Sequence, residues 1–140
     1  MKTITCVIPS YNQEVYLSEA IESVLNQTVK PDEFLVVDDG STDKSLALAW
    51  QYPVKVISQV NKGLASARNA GIMNSTGDYV FFLDADDIVA EDCLEEIHKA
   101  IEETNADIIA PSFKCFGVKE DVVVISPVIT LDLFKNYQNF

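Results

Sequence analysis

The chain has 140 residues, 48% of them hydrophobic, and carries 22 acidic against 10 basic side chains for a formal charge of -12. That length supports one sizeable core and a single domain over residues 1–140. The charge repels phosphate backbones and anionic lipid surfaces, which argues against nucleic-acid or membrane-surface binding; a small phosphorylated ligand remains compatible if a divalent cation stands between carboxylates and phosphates.

Thr3 to Pro9 is a short apolar run that reads as a strand and is too short for the core of a signal peptide. Val15, Leu17, Ala20, Ile21, Val24 and Leu25 then recur at three- and four-residue steps, which predicts a helix. Phe34 to Val37 is a second strand, closed by Asp38-Asp39-Gly40-Ser41, whose glycine and small polar residues supply turn and capping chemistry. Leu46 to Trp50 suits a short helix and Val54 to Ile57 a third strand. Gly63 opens an alanine-rich helix from Leu64 to Met73, and Gly77 punctuates. Tyr79 to Leu83 is the most apolar strand, ending in Asp84-Ala85-Asp86-Asp87. Leu94, Ile97 and Ile101 mark a fourth helix, with His98 beside that stripe and without a chemical role. Ile108 to Ala110 reads as a fifth strand, Val122 to Ile125 as an outer strand, and Thr130 as the cap of a last partial helix.

Strands that are apolar throughout are covered on both faces, so the expected class is α/β: a Rossmann-like, mainly parallel sheet with helices on both sides. No apolar stretch approaches the roughly 18 residues that span a bilayer. Cys6, Cys93 and Cys115 show no paired spacing and read as reduced thiols of a cytosolic protein, with Cys6 filling the core.

In such a sheet ligands bind beyond the carboxyl ends of the strands. Pro9-Ser10-Tyr11-Asn12, Asp38-Asp39 and Asp84 to Asp87 all fall at such ends and are expected to converge. Five carboxylates at one edge repel one another unless a cation neutralises them or some are protonated. At i and i+2 on an extended segment, Asp84 and Asp86 can face one hard cation while Ala85 points away. Oxygen ligands alone suit Mg2+ or Mn2+, which complete their shell with water and substrate phosphates and act as a Lewis acid on a diphosphate leaving group.

Val7-Ile8-Pro9-Ser10-Tyr11-Asn12, Val36 to Asp43, Asn61 to Gly63 with Ala67-Arg68-Asn69-Ala70-Gly71, and Gly77-Asp78-Tyr79 leading to Leu83 to Asp87 stand in one order. In content and order they resemble the donor half of a family 2 glycosyltransferase of the GT-A fold, over about residues 3–112. The resemblance implies transfer of a sugar from a nucleotide-diphosphate donor, a UDP-sugar above all, to a hydroxyl of a glycan, lipid or protein acceptor. It implies nucleotide contacts from Pro9, Ser10, Tyr11, Asp39, Arg68 and Asp84, and metal ligation by Asp86 with Asp84. Asp38 is expected to hold the turn's backbone and Asp87 to act as a neighbouring charge.

The inverting reaction of this family needs a general base, expected from a segment beyond Phe140. The chain is accordingly expected to be a fragment lacking the C-terminal part of the fold, cytoplasmic, and brought to the inner face of the membrane through parts of the parent protein not present here. Three other readings share some of these features. A non-catalytic nucleotide-binding module would keep the pocket alone. A Mg-dependent receiver domain would need its acidic pair after the first strand and a lysine where Ala110-Pro111-Ser112-Phe113 stands, and a phosphatase would use Asp84 as nucleophile and Asp86 as acid.

Overall fold

The computed structural model describes residues 1–114 together with 123–124. Two compact units follow one another along the chain, Met1–Leu94 and Glu95–Phe140. The first contains β1 (Ile4–Ser10), α1 (Leu17–Leu25), β2 (Glu33–Asp38), α2 (Ser45–Ala49), β3 (Lys55–Ser58), α3 (Leu64–Asn74) and β4 (Tyr79–Phe82). Its four strands form one parallel sheet in the order β3-β2-β1-β4.

Register and alternation explain how the sheet is covered. Cys6 and Ile8 of β1 and Phe34 and Val36 of β2 face a cluster completed by Leu17, Ala20, Ile21 and Val24 of α1 and Ala49 of α2. Val7, Leu35 and Val37 point the other way, against Ala67 and Ala70 of α3. The chain steps from β1 outward to β3 and then returns across the sheet to β4. With right-handed crossovers, that reversal puts α3 on the face opposite α1 and α2. The same reversal makes the junction of β1 with β4 the topological switch point, where such sheets open a crevice.

α3 lies close to the sheet because Gly71 carries no side chain. A Cβ there would stand 2.5 Å from Val7 Cγ1. Ala67 and Ala70 of this helix, packed against the same face of the sheet, serve the same approach.

The segment after β4 is tied to α1 by a buried amide. Gln27, 2% exposed, donates from Nε2 to the carbonyls of Ser23 and Ala90 at 3.2 and 2.5 Å, and its Oε1 accepts from Leu94 N–H at 2.9 Å. Cys6 is fully buried, and desolvation pushes its thiol far up, in keeping with a core filler; burial and the nearby Asp92 charge push Cys93 up to about 11.

α4 (Cys93–Thr104) carries the expected stripe, with Leu94, Ile97 and Ile101 buried. Ile108 to Ala110, expected as a strand, is irregular, and Ile108 is 39% exposed. Three apolar residues ahead of Pro111, which has no N–H to donate, offer too little backbone for a ladder. The pairing instead joins β5 (Phe113–Lys114) to β6 (Val123–Val124), antiparallel, within the outer run expected at Val122 to Ile125. Thr130 lies outside the described residues.

Gly71→Ala separates helix propensity from packing. Propensity alone favours alanine by roughly 1 kcal/mol, whereas overpacking disfavours it by about 1–3 kcal/mol. Thermal melts of the purified variant are expected to show a lower Tm; a higher one would mean that α3 shifts away from Val7 without loss.

Candidate functional site

The carboxyl ends of β1, β2 and β4 open into one cleft of about 370 Å³. Pro9, Ser10 and Tyr11 line it from the end of β1, and Asp39 from the turn after β2. Asp84, Ala85 and Asp86 line it beyond β4. The convergence expected from the strand ends is therefore present.

Asp39 is 3% exposed and sits at the centre of a hydrogen-bond cluster. Its Oδ1 accepts from Gln59 Nε2 at 2.7 Å and Lys62 N–H at 2.9 Å, and its Oδ2 accepts from Gly63 N–H at 2.8 Å. Burial pushes this carboxyl up, but the bonds from Gln59, Lys62 and Gly63 outweigh it and hold the group below the usual aspartate value. Gly63 leads into α3 at φ +91° and ψ 165°, a conformation almost confined to glycine. Asp39 thus fastens the loop that carries Asn61, Gly63 and Leu64, three further lining residues.

Asp38 is buried and accepts from Ser41 N–H at 3.2 Å, the turn-holding role expected of it.

Beyond β4 both carboxylates reach the cleft, but through a turn at Ala85 and Asp86 and not through the extended segment expected from the i, i+2 spacing. Ala85 is 4% exposed and packs in the core, while Asp84 is half-buried and Asp86 exposed at the cleft. Asp87 turns back, its N–H donating to the Asp84 carbonyl at 3.0 Å. Partial burial, then the charges of Asp86 and Asp84, push the Asp87 carboxyl above its usual range. No group of three or more potential metal ligands gathers among the described residues. Asp84 and Asp86 therefore offer two carboxylates, a set suited to a hard cation that keeps waters and takes ligand oxygens.

Arg68 of α3 does not line the cleft; its Nη2 donates to Asp84 Oδ1 at 2.8 Å. This pair is open to solvent on both sides, which limits its contribution to stability, but it orients the Asp84 carboxylate.

Gln13, Leu64 and Ala67 also line the cleft; sequence pattern marks Ala67 only as part of a motif and assigns none of the three to the site. Leu64 and Ala67 look like ordinary helix positions, and only their place in the first turn of a helix starting at the cleft could have marked them.

With this geometry in place, comparisons with known proteins decide the family. The sequence profile of glycosyl transferase family 2 matches residues 5–136. The chain belongs to this family. It is 39% identical over 122 residues to Glycosyltransferase GlyA of Streptococcus pneumoniae, across 84% of this chain and 18% of that protein. Glycosyltransferase GlyG of the same organism is 38% identical over 79% of this chain and 38% of its own length. The chain thus spans well under half of these relatives.

Among solved structures, S. aureus TarS 1-349 in complex with UDP-GlcNAc superposes with a TM-score of 0.72 at 29% identity, over 84% of this chain and 37% of that one. Glucosyl-3-phosphoglycerate synthase of Mycobacterium tuberculosis, in complex with Mn2+, UDP and phosphoglyceric acid, gives 0.57 at 30% identity over 62% and 34%. The fold is that of the GT-A glycosyltransferases. No helix among the described residues is long and apolar enough to cross a membrane.

The Asp39 cluster makes a pH-dependent contribution with a definite sign. A carboxyl whose folded pKa is depressed stabilises the protein above its unfolded pKa of about 3.9 and loses that contribution as pH falls through the folded value. Asp39→Asn, which sets an amide against N–H donors, is expected to be less stable to urea at pH 7. The gap to wild type should shrink below about pH 4; a gap independent of pH would refute the charge-assisted account.

Proposed function

We propose that this chain binds a nucleotide-diphosphate sugar with Mn2+ or Mg2+ in the strand-end cleft and serves transfer of the sugar to an acceptor hydroxyl with inversion. The observation that carries this reading is the joint exposure of Asp84 and Asp86 to the cleft that Ser10, Tyr11 and Asp39 also line. On this reading Pro9, Ser10, Tyr11 and Asp39 hold the base and ribose. Asp84 and Asp86 hold the cation, which as a Lewis acid would offset the charge growing on the departing diphosphate.

The state of Asp39 is compatible with UDP. Each carboxylate oxygen has room for about two donors, and among the described residues Oδ2 accepts only from Gly63 N–H. The remaining acceptor fits the imide N–H of uracil as it fits an amino N–H of another base, so the choice of UDP rests on the ligands of similar enzymes. That TarS was crystallised with UDP-GlcNAc and the mycobacterial synthase with UDP and Mn2+ supports the same choice.

The base that takes the acceptor's proton is not assigned to the cleft. Asp39 is engaged through both oxygens, Asp84 is paired with Arg68, and Asp86 faces the cation site. The residue comes from elsewhere in the enzyme, as do the contacts that select sugar and acceptor. A carboxylate-lined cleft and a charge of -12 favour an anionic donor only when a cation accompanies it, so metal and donor should bind together.

Calorimetric titration of the purified chain with UDP is expected to show binding with Mn2+ and little without it. Asp86→Ala removes an exposed side chain and should leave the fold intact while weakening metal-dependent binding more than about tenfold, the scale of one charge-assisted contact. Metal-independent binding unchanged in Asp86→Ala, or no binding by folded wild type, would sink the proposal.

A further inference from the structure

Asn12, directly after Tyr11, holds φ +52°, a left-handed conformation that asparagine tolerates better than most L residues. Its Oδ1 accepts from Thr42 N–H at 2.8 Å, Thr42 Oγ1 at 3.3 Å and Asp43 N–H at 3.4 Å. Bonds also run the other way. The N–H of Asn12 donates to Ser41 Oγ at 3.0 Å, that of Gln13 to Ser45 Oγ at 2.8 Å, and that of Glu14 to Asp43 Oδ2 at 3.1 Å. Lys44 N–H closes the set on Glu14 Oε2 at 3.0 Å. Two loops about thirty residues apart thereby become one unit, bearing Tyr11 on one side and following directly from Asp39 on the other. None of these bonds reaches Asp84 or Asp86.

We propose that Asn12 is a positioning residue that sets the nucleoside end of the cleft, joining the loop of Tyr11 to the turn after Asp39 and leaving the diphosphate end alone. This rests on the donor-binding reading above. The side chain must combine an oxygen acceptor with tolerance of positive φ. Aspartate meets both requirements, glycine only the second and alanine neither. Asn12 is exposed, so its replacement leaves the core untouched.

Asn12→Ala, Asn12→Gly and Asn12→Asp are titrated calorimetrically with UDP plus Mn2+ and with inorganic pyrophosphate plus Mn2+, each variant first checked for native circular dichroism. The alanine and glycine variants are expected to bind UDP about tenfold more weakly, equivalent to about 1.4 kcal/mol, with pyrophosphate within about twofold of wild type. The aspartate variant should recover UDP binding to within about threefold. Wild-type UDP affinity in Asn12→Ala, a parallel loss for UDP and pyrophosphate, or no recovery in Asn12→Asp would overturn the proposal. Wild type that fails to bind UDP would instead remove the donor reading, and this inference with it.

Discussion

β1 has no free side. β2 and β4 occupy its two hydrogen-bonding edges, clusters from opposite faces bury its side chains, and all seven residues from Ile4 to Ser10 are buried. Thr5 inside it is satisfied, donating to Glu33 Oε2 and accepting from Gly77 N–H, whereas the buried hydroxyl of Ser10 at its carboxyl end has no hydrogen-bond partner among the described residues. The first place where β1 can present unshielded chemistry is its carboxyl end. Because the strand order reverses at β1, the neighbouring end of β4 must open there too. The position of the cleft thus follows from topology before any ligand is considered.

The two ends of the sheet use carboxylates differently. At the amino end, Asp32 accepts from Ile4 N–H at 2.8 Å, Glu33 from Thr76 N–H at 2.8 Å, and Asp78 from Thr3 N–H at 2.9 Å. These acids spend their acceptors on backbone and fasten adjoining loops. Hydrogen bonds from Thr76 and Thr5 and the charge of Lys55 hold Glu33 below its ordinary value against the opposing effect of burial. At the carboxyl end, Asp86 makes no hydrogen bond or ion pair with other described residues, and Asp87 is pushed up by burial and by its acidic neighbours. Composition shows acids at both ends alike; at the carboxyl end Asp38 and Asp39 also hold backbone, and it is Asp86 that stands without a partner among the described residues.

That difference decides what could be read from sequence. The parallel sheet was legible because Cys6 to Ile8, Phe34 to Val37 and Tyr79 to Phe82 are apolar without interruption, which has few other meanings at that length. That Asp84 and Asp86 reach one cleft was legible from their place after an apolar strand, but the turn at Ala85 and Asp86 that brings them there was not, since it lies beyond the last residue of β4. Gln27, Gln59 and the partners of Asn12 were not, since each acts through residues 20 to 67 positions away and an isolated glutamine carries no periodic signal. Ile108 to Ala110 misled for the opposite reason: a local apolar run suggested a strand whose existence depended on a partner the run could not specify. Arg68 was placed on the right helix, but its immediate partner, Asp84, came from the tertiary arrangement.

Asp39 shows why structural and ligand-binding readings of one residue need not compete. A free carboxylate that binds a ligand loses rotamer freedom on doing so, which subtracts from affinity. Here that freedom is already gone, because Gln59, Lys62 and Gly63 fix both oxygens in the folded protein. The same bonds keep the group ionised and leave Oδ2 with acceptor capacity. On the proposed reading, a donor N–H arriving from the cleft would meet an immobilised acceptor whose ordering was supplied by folding. The arrangement also couples the site to the scaffold, for the loop entering α3 cannot move without disturbing the acceptor. An aspartate that holds its own loop is thereby better placed to hold a ligand than one left free to do nothing else.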